Sequence, residues 1–137
     1  VSLSTLYHIR GNMEELLNSK VWLPSGANII IETFETLTII DVNSGKNQSR
    51  KEDAIFQINL EAAREIARQL RLRNISGMII VDFINLKSQE QKEELIRCIR
   101  QELKKDTVPA QFIDITRLGL VELTRKKIYK SLREILQ

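Results

Sequence analysis

The chain has 137 residues, of which 42% are hydrophobic and 28% are charged, and its formal net charge is +3. These values are typical of one globular domain with a hydrophobic core, and the small positive charge permits an anionic partner without requiring one. Cys98 is the only cysteine, which excludes an internal disulfide and favours a reducing, cytoplasmic location. With one cysteine and one histidine in the chain we expect no zinc site, and without a long hydrophobic run we expect no membrane span.

The chain is predicted to consist of an N-terminal segment, residues 1–20, and an α/β core, residues 21–137. In the core, residues 21–23 and 28–33 are rich in β-branched and aromatic residues and predict two strands. Pro24-Ser25-Gly26 predicts the turn between them. A short connection joins the second strand to the next one, which predicts a hairpin.

The next stretch carries the first candidate site residues. Residues 37–42 are a hydrophobic, β-branched run that predicts a buried strand, and Ser44-Gly45 predicts where it ends. Asp41 therefore lies at the carboxyl end of a strand, and Asn43 projects to the same side because side chains alternate along a strand. The polar, basic loop that follows, residues 46–51, is either a functional loop that overhangs the site or a plain solvated loop.

A crossover helix leads to a second strand of the same kind. The helix is predicted from Asp53, as its N-cap, to about Arg73. Residues 78–83 form another hydrophobic run, which contains Asp82 at its end. A strand–helix–strand crossover makes the two strands parallel, so that their carboxyl ends meet at the edge where open α/β sheets bind ligands. We expect Asp41 and Asp82 to lie one strand spacing apart there, roughly 5 Å.

Two carboxylates in this arrangement repel each other and favour the binding of a cation. Carboxylate oxygens with an amide nearby are ligands that suit Mg²⁺ or, alternatively, Mn²⁺. The sequence therefore predicts a metal site at Asp41 and Asp82, with Asn43 in support. The alternative is that each acid is a structural carboxylate that caps a turn or the next helix.

The rest of the chain predicts a second helix at residues 88–105, capped by Ser88, strands at 111–116 and 118–123, and a basic terminal helix at 126–136. Together these elements predict an α/β fold: a mixed sheet with a central parallel β-α-β unit, an N-terminal hairpin and helices packed on the sheet. Asp114 is either a third acid of the site or, as the simpler interpretation, a surface residue of an edge strand.

Six stretches occur in order between about Leu6 and Leu132, and together they resemble the ribonuclease E/ribonuclease G family. They are PSG at 24–26, IDVNSG at 40–45, NLEAA at 59–63, EIARQLRLR at 65–73, IVDFI at 80–84 and LGLVELTR at 118–125. Each stretch alone is a weak signal, but the set in this order is specific.

The resemblance implies that this region is the deoxyribonuclease-I-like catalytic subdomain of an endoribonuclease that acts on single-stranded RNA. It places the two metal-binding aspartates of the family at Asp41 and Asp82, and the asparagine that follows the first at Asn43. The basic stretch around Arg125 and Lys126 matches a segment expected near the RNA backbone. In the family this subdomain also contributes to dimerisation, so a homo-oligomer is expected for the longer protein.

The sequence departs from the family pattern in two places and covers only part of it. Asn85 stands where the family has an acid, which weakens the case for a third carboxylate but leaves Asp82 in place. The loop at 46–50 lacks the usual Gly- and Thr-containing sequence. The RNA-binding domain, the 5′-phosphate sensor and the zinc link of the family are absent, so we interpret the chain as a fragment of a longer protein.

From the sequence we therefore expect metal-assisted hydrolysis of RNA that leaves 5′-phosphate ends. Lys46, Arg50, Arg125 and Lys126 are the residues expected to neutralise RNA phosphates. One alternative is a non-catalytic RNA-binding or dimerisation module, which needs no divalent ion. Another is a phospho-acceptor domain, which also has aspartates at strand ends but does not open with a hairpin.

Overall fold

The structure, a computed structural model, describes residues 18–47 and 49–127. Within these residues the elements are β1 (Lys20–Trp22), β2 (Asn28–Thr33), β3 (Leu37–Asn43), α1 (Glu52–Leu72), β4 (Gly77–Asp82), α2 (Gln89–Lys104), β5 (Ala110–Ile115) and β6 (Val121–Arg125). The first seventeen residues and most of the basic helix predicted at 126–136 lie outside the described residues, and residues 126 and 127, which are described, are not helical.

The strands form one mixed sheet in the order β1-β2-β3-β4-β6-β5. Strands β1, β2 and β3 pair antiparallel, with a tight β2–β3 hairpin in which the Phe34 N–H donates to the Leu37 carbonyl at 2.7 Å. Strands β3 and β4 are parallel and are connected through α1. Strand β6 pairs antiparallel with both β4 and β5. The predicted fold class, with its central parallel unit and N-terminal hairpin, is confirmed.

The two described helices pack on one face of this sheet. In β3, Ile40 and Val42 are buried, whereas Ile39 just before them is exposed, and Ile79 and Val81 of β4 are buried in the same alternation. These side chains join the core-facing residues of the helices, which are Phe56, Ile58, Ala62, Ala63, Ile66, Ala67 and Leu70 of α1 and Leu95, Ile99 and Leu103 of α2. The alanines bring α1 close to the strands, and neither described helix covers the opposite face.

The helix starts show one wrong prediction and one confirmed prediction. Asp53 is not the N-cap of α1: the helix begins after Lys51, which makes no side-chain cap, and Asp53 lies in the first turn, where its charge suits the helix dipole. Ser88 does cap α2, because its hydroxyl accepts the Gln91 N–H at 3.2 Å. The Gln91 side chain donates to Asp53 at 3.3 Å and so links the start of α2 to the start of α1.

The strand predicted at 118–123 is displaced. Residues 116–120 form the turn between β5 and β6, in which the Thr116 N–H donates to the Leu120 carbonyl at 2.8 Å. Leu118 lies at the tip of the turn and is 88% exposed. The strand runs from Val121 to Arg125, which is the part of the segment that pairs with β4.

No helix within the described ranges is both long enough and hydrophobic enough to cross a membrane.

Candidate functional site

Asp41 and Asp82 are neighbours at the carboxyl edge of the parallel pair. They lie opposite each other at the end of the β3–β4 ladder, and residues opposite each other on adjacent strands project to the same face about 4.8 Å apart. Asp41 is half-buried and Asp82 is exposed, on the sheet face away from the helices. The prediction that these two acids meet is confirmed, and their function stays a prediction.

Asn43 adds an amide to this pair. It follows Asp41 by two residues in β3, shares its face and is half-buried. In the described part of the chain no group of three or more His, Cys, Asp or Glu side chains could hold a metal ion. A cation at this edge would therefore have two carboxylates and one amide, with water or phosphate oxygens in the other positions, and Mg²⁺ commonly keeps such waters. The donor set fits that ion.

Asn59 of α1 positions the segment that follows Asp82. This side chain is fully buried. Its amide nitrogen donates to the Ile84 carbonyl at 2.8 Å, and its oxygen accepts the Ile84 N–H at 3.1 Å. The asparagine thus acts as a substitute β-strand partner for Ile84 and fixes the chain two residues after Asp82. It lies in one of the stretches that carry the family resemblance, but no sequence pattern indicates its role.

A cleft of about 220 Å³ opens beside Asp82. Hydrophobic side chains of the segment after Asp82, of α2 and of the β5–β6 hairpin line most of it, and Lys92 of α2 lies in its wall together with Asp82 and Asn85. This lysine was not identified from the sequence, since helical spacing alone does not show which end of the sheet a charged residue faces. Asn85, which stands where the family pattern has an acid, therefore lines the same cleft.

Arg125 is not positioned to bind RNA, and that prediction is corrected. The residue is 3% exposed. Its guanidinium donates to Asp106 at 2.8 Å, to the Asn74 side chain at 3.0 Å and to the Ile75 carbonyl at 3.0 Å. Arg125 is also opposite Gly77, the first residue of β4, at the end of the sheet away from Asp82. Its role in this structure is to join parts of the fold.

The other predicted basic residues divide between the two ends of the sheet. Lys126 is exposed but follows Arg125, so the length of β4, roughly 16 Å for six residues, separates it from the acids. Lys46 and Arg50 are exposed and follow β3. Arg50 lines a small cleft of about 150 Å³ with Asn85 and other residues of the segment after Asp82. The structure thus brings Lys46 and Arg50 to the acid edge, and not Lys126.

Asp114 does not join the acid pair. It lies in β5, which is an edge strand of the sheet, and its side chain is exposed. Its carboxylate accepts the N–H of Ile115 at 2.8 Å, next to an irregularity in the β5–β6 ladder. The interpretation as a surface residue of an edge strand is confirmed.

Comparison with known proteins finds one family that the chain resembles over almost its whole length. Residues 1–128 match the model of the ribonuclease E/G family. The chain is 46% identical over 138 residues to ribonuclease E of Synechocystis sp., covering 98% of this chain and 20% of that protein. It is 38% identical over 133 residues to ribonuclease G of Escherichia coli, covering 96% of this chain and 27% of that protein. The chain spans about a fifth to a quarter of the length of these curated relatives.

Proposed function

The chain belongs to the ribonuclease E/G family, and from this premise we propose that it forms the catalytic part of a Mg²⁺-dependent endoribonuclease. The substrate is single-stranded RNA in the cytoplasm, and cleavage leaves 5′-phosphate ends. The observation that supports the proposal is the placement of Asp41 opposite Asp82 at the carboxyl edge of two parallel strands. The relatives are named as ribonucleases, which agrees with a phosphodiester as the bond that is cut.

In this proposal Asp41 and Asp82 hold the metal ion, and Asn43 supports it directly or through a bound water. A Mg²⁺ ion at such a site supplies a more acidic water and neutralises charge on the scissile phosphate. The protein keeps the two carboxylates together through the ladder of β3 with β4 and keeps the chain after Asp82 in place through Asn59. Lys46 neutralises neighbouring RNA phosphates, which makes RNA binding salt-dependent.

Arg50 and Lys92 lie where they can extend this basic surface. Arg50 follows β3 in the loop before α1, and Lys92 lines the cleft beside Asp82. Because the chain spans a fifth to a quarter of its relatives, other parts of a longer protein contribute to RNA positioning. We therefore expect the isolated chain to cleave RNA weakly or not at all, since catalysis depends on positioning. Assembly of the longer protein as a homo-oligomer belongs to the same proposal.

The first test is cleavage by the longer protein with Asp41→Asn or Asp82→Asn. Each variant keeps the shape of the side chain and removes the charge, so we expect the rate of RNA cleavage at saturating Mg²⁺ to fall about 100-fold or more, while the affinity for RNA changes little. The matched control is Glu32→Gln, which removes an exposed acid from β2 on the same face of the sheet and should leave cleavage unchanged. Full activity in both aspartate variants would refute the proposal.

The second test detects the metal without requiring activity. Mn²⁺ added to the 137-residue chain should broaden the amide NMR signals of residues around Asp41, Asn43 and Asp82. The broadening should disappear in the double variant Asp41→Asn with Asp82→Asn and persist in Glu32→Gln. Diffuse broadening, or broadening that survives the double variant, would contradict a metal site at this edge.

A second candidate function is an assembly module, and the exposed hydrophobic residues of the open sheet face favour it. Ile39 is 38% exposed and Met78 is 53% exposed, on the face that the described helices leave uncovered. Such side chains are typical of a surface that contacts another domain or subunit. This function needs no divalent ion, so it predicts that replacing both aspartates leaves self-association unchanged. The two functions are compatible in one protein.

A further inference from the structure

Trp22 is an exposed aromatic residue on the same sheet face as the acid pair. Its neighbour Val21 packs against the hydrophobic core, so the Trp22 side chain projects to the opposite face. It lies opposite Asn28, and Asn28 lies opposite Asn43. Trp22 is therefore in one row with a residue of the candidate metal site. Half of its surface is exposed, which is unusual for so large a hydrophobic side chain.

The next row across the sheet contains Lys20 and both acids. Lys20 lies opposite Ile30, Ile30 opposite Asp41, and Asp41 opposite Asp82. Two strand spacings, on the order of 10 Å, thus separate the backbone of Lys20 from that of Asp41. The same spacing separates Trp22 from Asn43. An RNA strand that lies across this face can reach the aromatic residue and the acids together.

Two lysine ammonium groups accompany the indole ring. The Nζ atom of Lys46 lies 4.9 Å from the centre of the Trp22 ring, and that of Lys20 lies 5.4 Å from it. Both distances are within the range of cation–π attraction. An exposed aromatic ring beside positive charges is the arrangement that proteins use for single-stranded nucleic acid, in which bases stack on the ring and cations follow the backbone.

The fold holds this cluster in place from two sides. The Lys46 N–H donates to the Gly26 carbonyl at 2.8 Å, which joins the loop after β3 to the turn between β1 and β2. The Ser25 N–H in that turn donates to Glu61 of α1 at 3.1 Å. A Cβ atom on Gly45 would lie 3.2 Å from the edge of the indole ring, so the backbone packs directly against Trp22. The ring is therefore supported at its edge while half of its surface stays open.

We propose that Trp22, Lys20 and Lys46 form a subsite that binds one unpaired nucleotide of the RNA substrate, close to the phosphate that is cut. The base stacks on the indole ring, and the ammonium groups contact the flanking phosphates. Both lysines are exposed and flexible, so either can leave the ring for a phosphate when a base arrives. The inference rests on the proposed function and extends it, because a stacking site accepts only an unpaired base and so favours single-stranded RNA.

The test uses the fact that Trp22 is the only tryptophan of the 137-residue chain. A short single-stranded oligouridylate is titrated into the chain in EDTA, and tryptophan fluorescence is recorded. We expect saturable quenching, and we expect none with an RNA duplex of the same length. Trp22→Ala should raise the dissociation constant for dye-labelled oligouridylate about tenfold, as loss of one stacked base implies, and Trp22→Phe should restore most of the affinity.

Phe34→Ala is the matched control. Phe34 is 58% exposed and follows the last residue of β2, whereas Trp22 is opposite the first residue of that strand. Removal of this aromatic residue, at the other end of the sheet, should leave the affinity for RNA unchanged. Absence of quenching, or a Trp22→Ala protein that binds oligouridylate as tightly as the original chain, would overturn the subsite.

The two proposals fail in different ways. In EDTA no divalent ion is bound, so the double variant Asp41→Asn with Asp82→Asn should still show quenching of Trp22 by oligouridylate. If that variant retained cleavage in the longer protein while Trp22→Ala lost RNA affinity, the metal site would be wrong and the subsite would stand. If the aspartate variants lost cleavage while Trp22→Ala had no effect on RNA affinity, the metal site would stand and the subsite would be wrong.

Discussion

At the scale of single residues, Asn59 shows how a buried amide can support a site that it does not enter. Both hydrogen bonds of its side chain go to the backbone of Ile84. We expect Asn59→Ala to lower the free energy of unfolding by about 2 to 4 kcal/mol, because it leaves a backbone donor and a backbone acceptor without partners. Denaturation by urea measures this loss.

Gln69→Ala is the control for Asn59→Ala. Gln69 is equally buried and lies on the same helix, but its side chain bonds to Glu65 and Arg73, which are half-buried side chains that can turn to water. We therefore expect Gln69→Ala to lower the free energy of unfolding by less than Asn59→Ala does. Equal losses would mean that burial, and not the backbone of Ile84, explains the effect. The role of Asn59 shows no signal in the sequence, since its partner Ile84 is 25 positions away.

At the scale of elements, the loop between β3 and α1 depends on Gly45. Its φ is +55°, and an added Cβ would lie 2.6 Å from the Gly26 carbonyl oxygen and 2.8 Å from the Asn28 amide. We expect Gly45→Ala to cost about 3 kcal/mol in the free energy of unfolding, from the unfavourable backbone conformation and the collision together. Because Lys46 would move with the loop, the emission of Trp22 should also change.

Gly119→Ala separates these two causes. Gly119 has φ +85° in the β5–β6 turn, but no atom lies within 4 Å of the position that its Cβ would take. The backbone penalty alone, about 1 kcal/mol, should therefore appear in thermal unfolding, and the Trp22 emission should stay the same. If both glycine variants had the same effect, the contact of the loop with Asn28 and Trp22 would not matter for stability.

The elements also show what the sequence could and could not predict. The crossover unit and the meeting of Asp41 with Asp82 were predicted because alternation and helical spacing are local patterns. Asp53 is a good capping residue and so predicts the start of α1 at that position, although the helix begins after Lys51 without a side-chain cap. The Trp22 cluster could not be predicted, since it depends on the pairing of β1 with β2 and on a contact with Lys46, which is far along the chain.

At the scale of the whole molecule, Arg125 joins segments that are distant in sequence. Its guanidinium bonds to the α1–β4 connection at Asn74 and Ile75 and to the α2–β5 connection at Asp106, while its backbone lies at the end of β6. The side chains of both members of the Arg125–Asp106 pair are 3% exposed. The basic stretch around Arg125 predicts an RNA contact, but the burial of the pair makes Arg125 a structural link. An unpaired charge at this depth is strongly unfavourable, so Arg125 depends on Asp106 as its partner.

The pH dependence of this link can be predicted from Asp106. Burial alone would raise the pKa of its carboxyl, but the hydrogen bonds from Arg125 and from the Val108 N–H, with the charges of Arg125 and Arg71, hold that pKa below its ordinary value. A lowered pKa in the folded state means that the pair stabilises the fold at neutral pH. This stabilisation is lost only as the pH falls below the unfolded aspartate value of about 4 and through the folded one.

We therefore expect Asp106→Asn to lower the free energy of unfolding by about 3 kcal/mol at neutral pH, because Arg125 then keeps a buried charge without a counter-charge. The difference between the original chain and the variant should be constant above about pH 5 and should narrow below about pH 4, as protonation removes the same charge. Urea denaturation at a series of pH values measures this difference, and Asp114→Asn, at an exposed acid of β5, should show almost none. A difference that stayed constant between about pH 5 and about pH 2 would show that loss of the carboxylate charge is not its cause, since the unfolded aspartate, with a pKa of about 4, takes up a proton in that range.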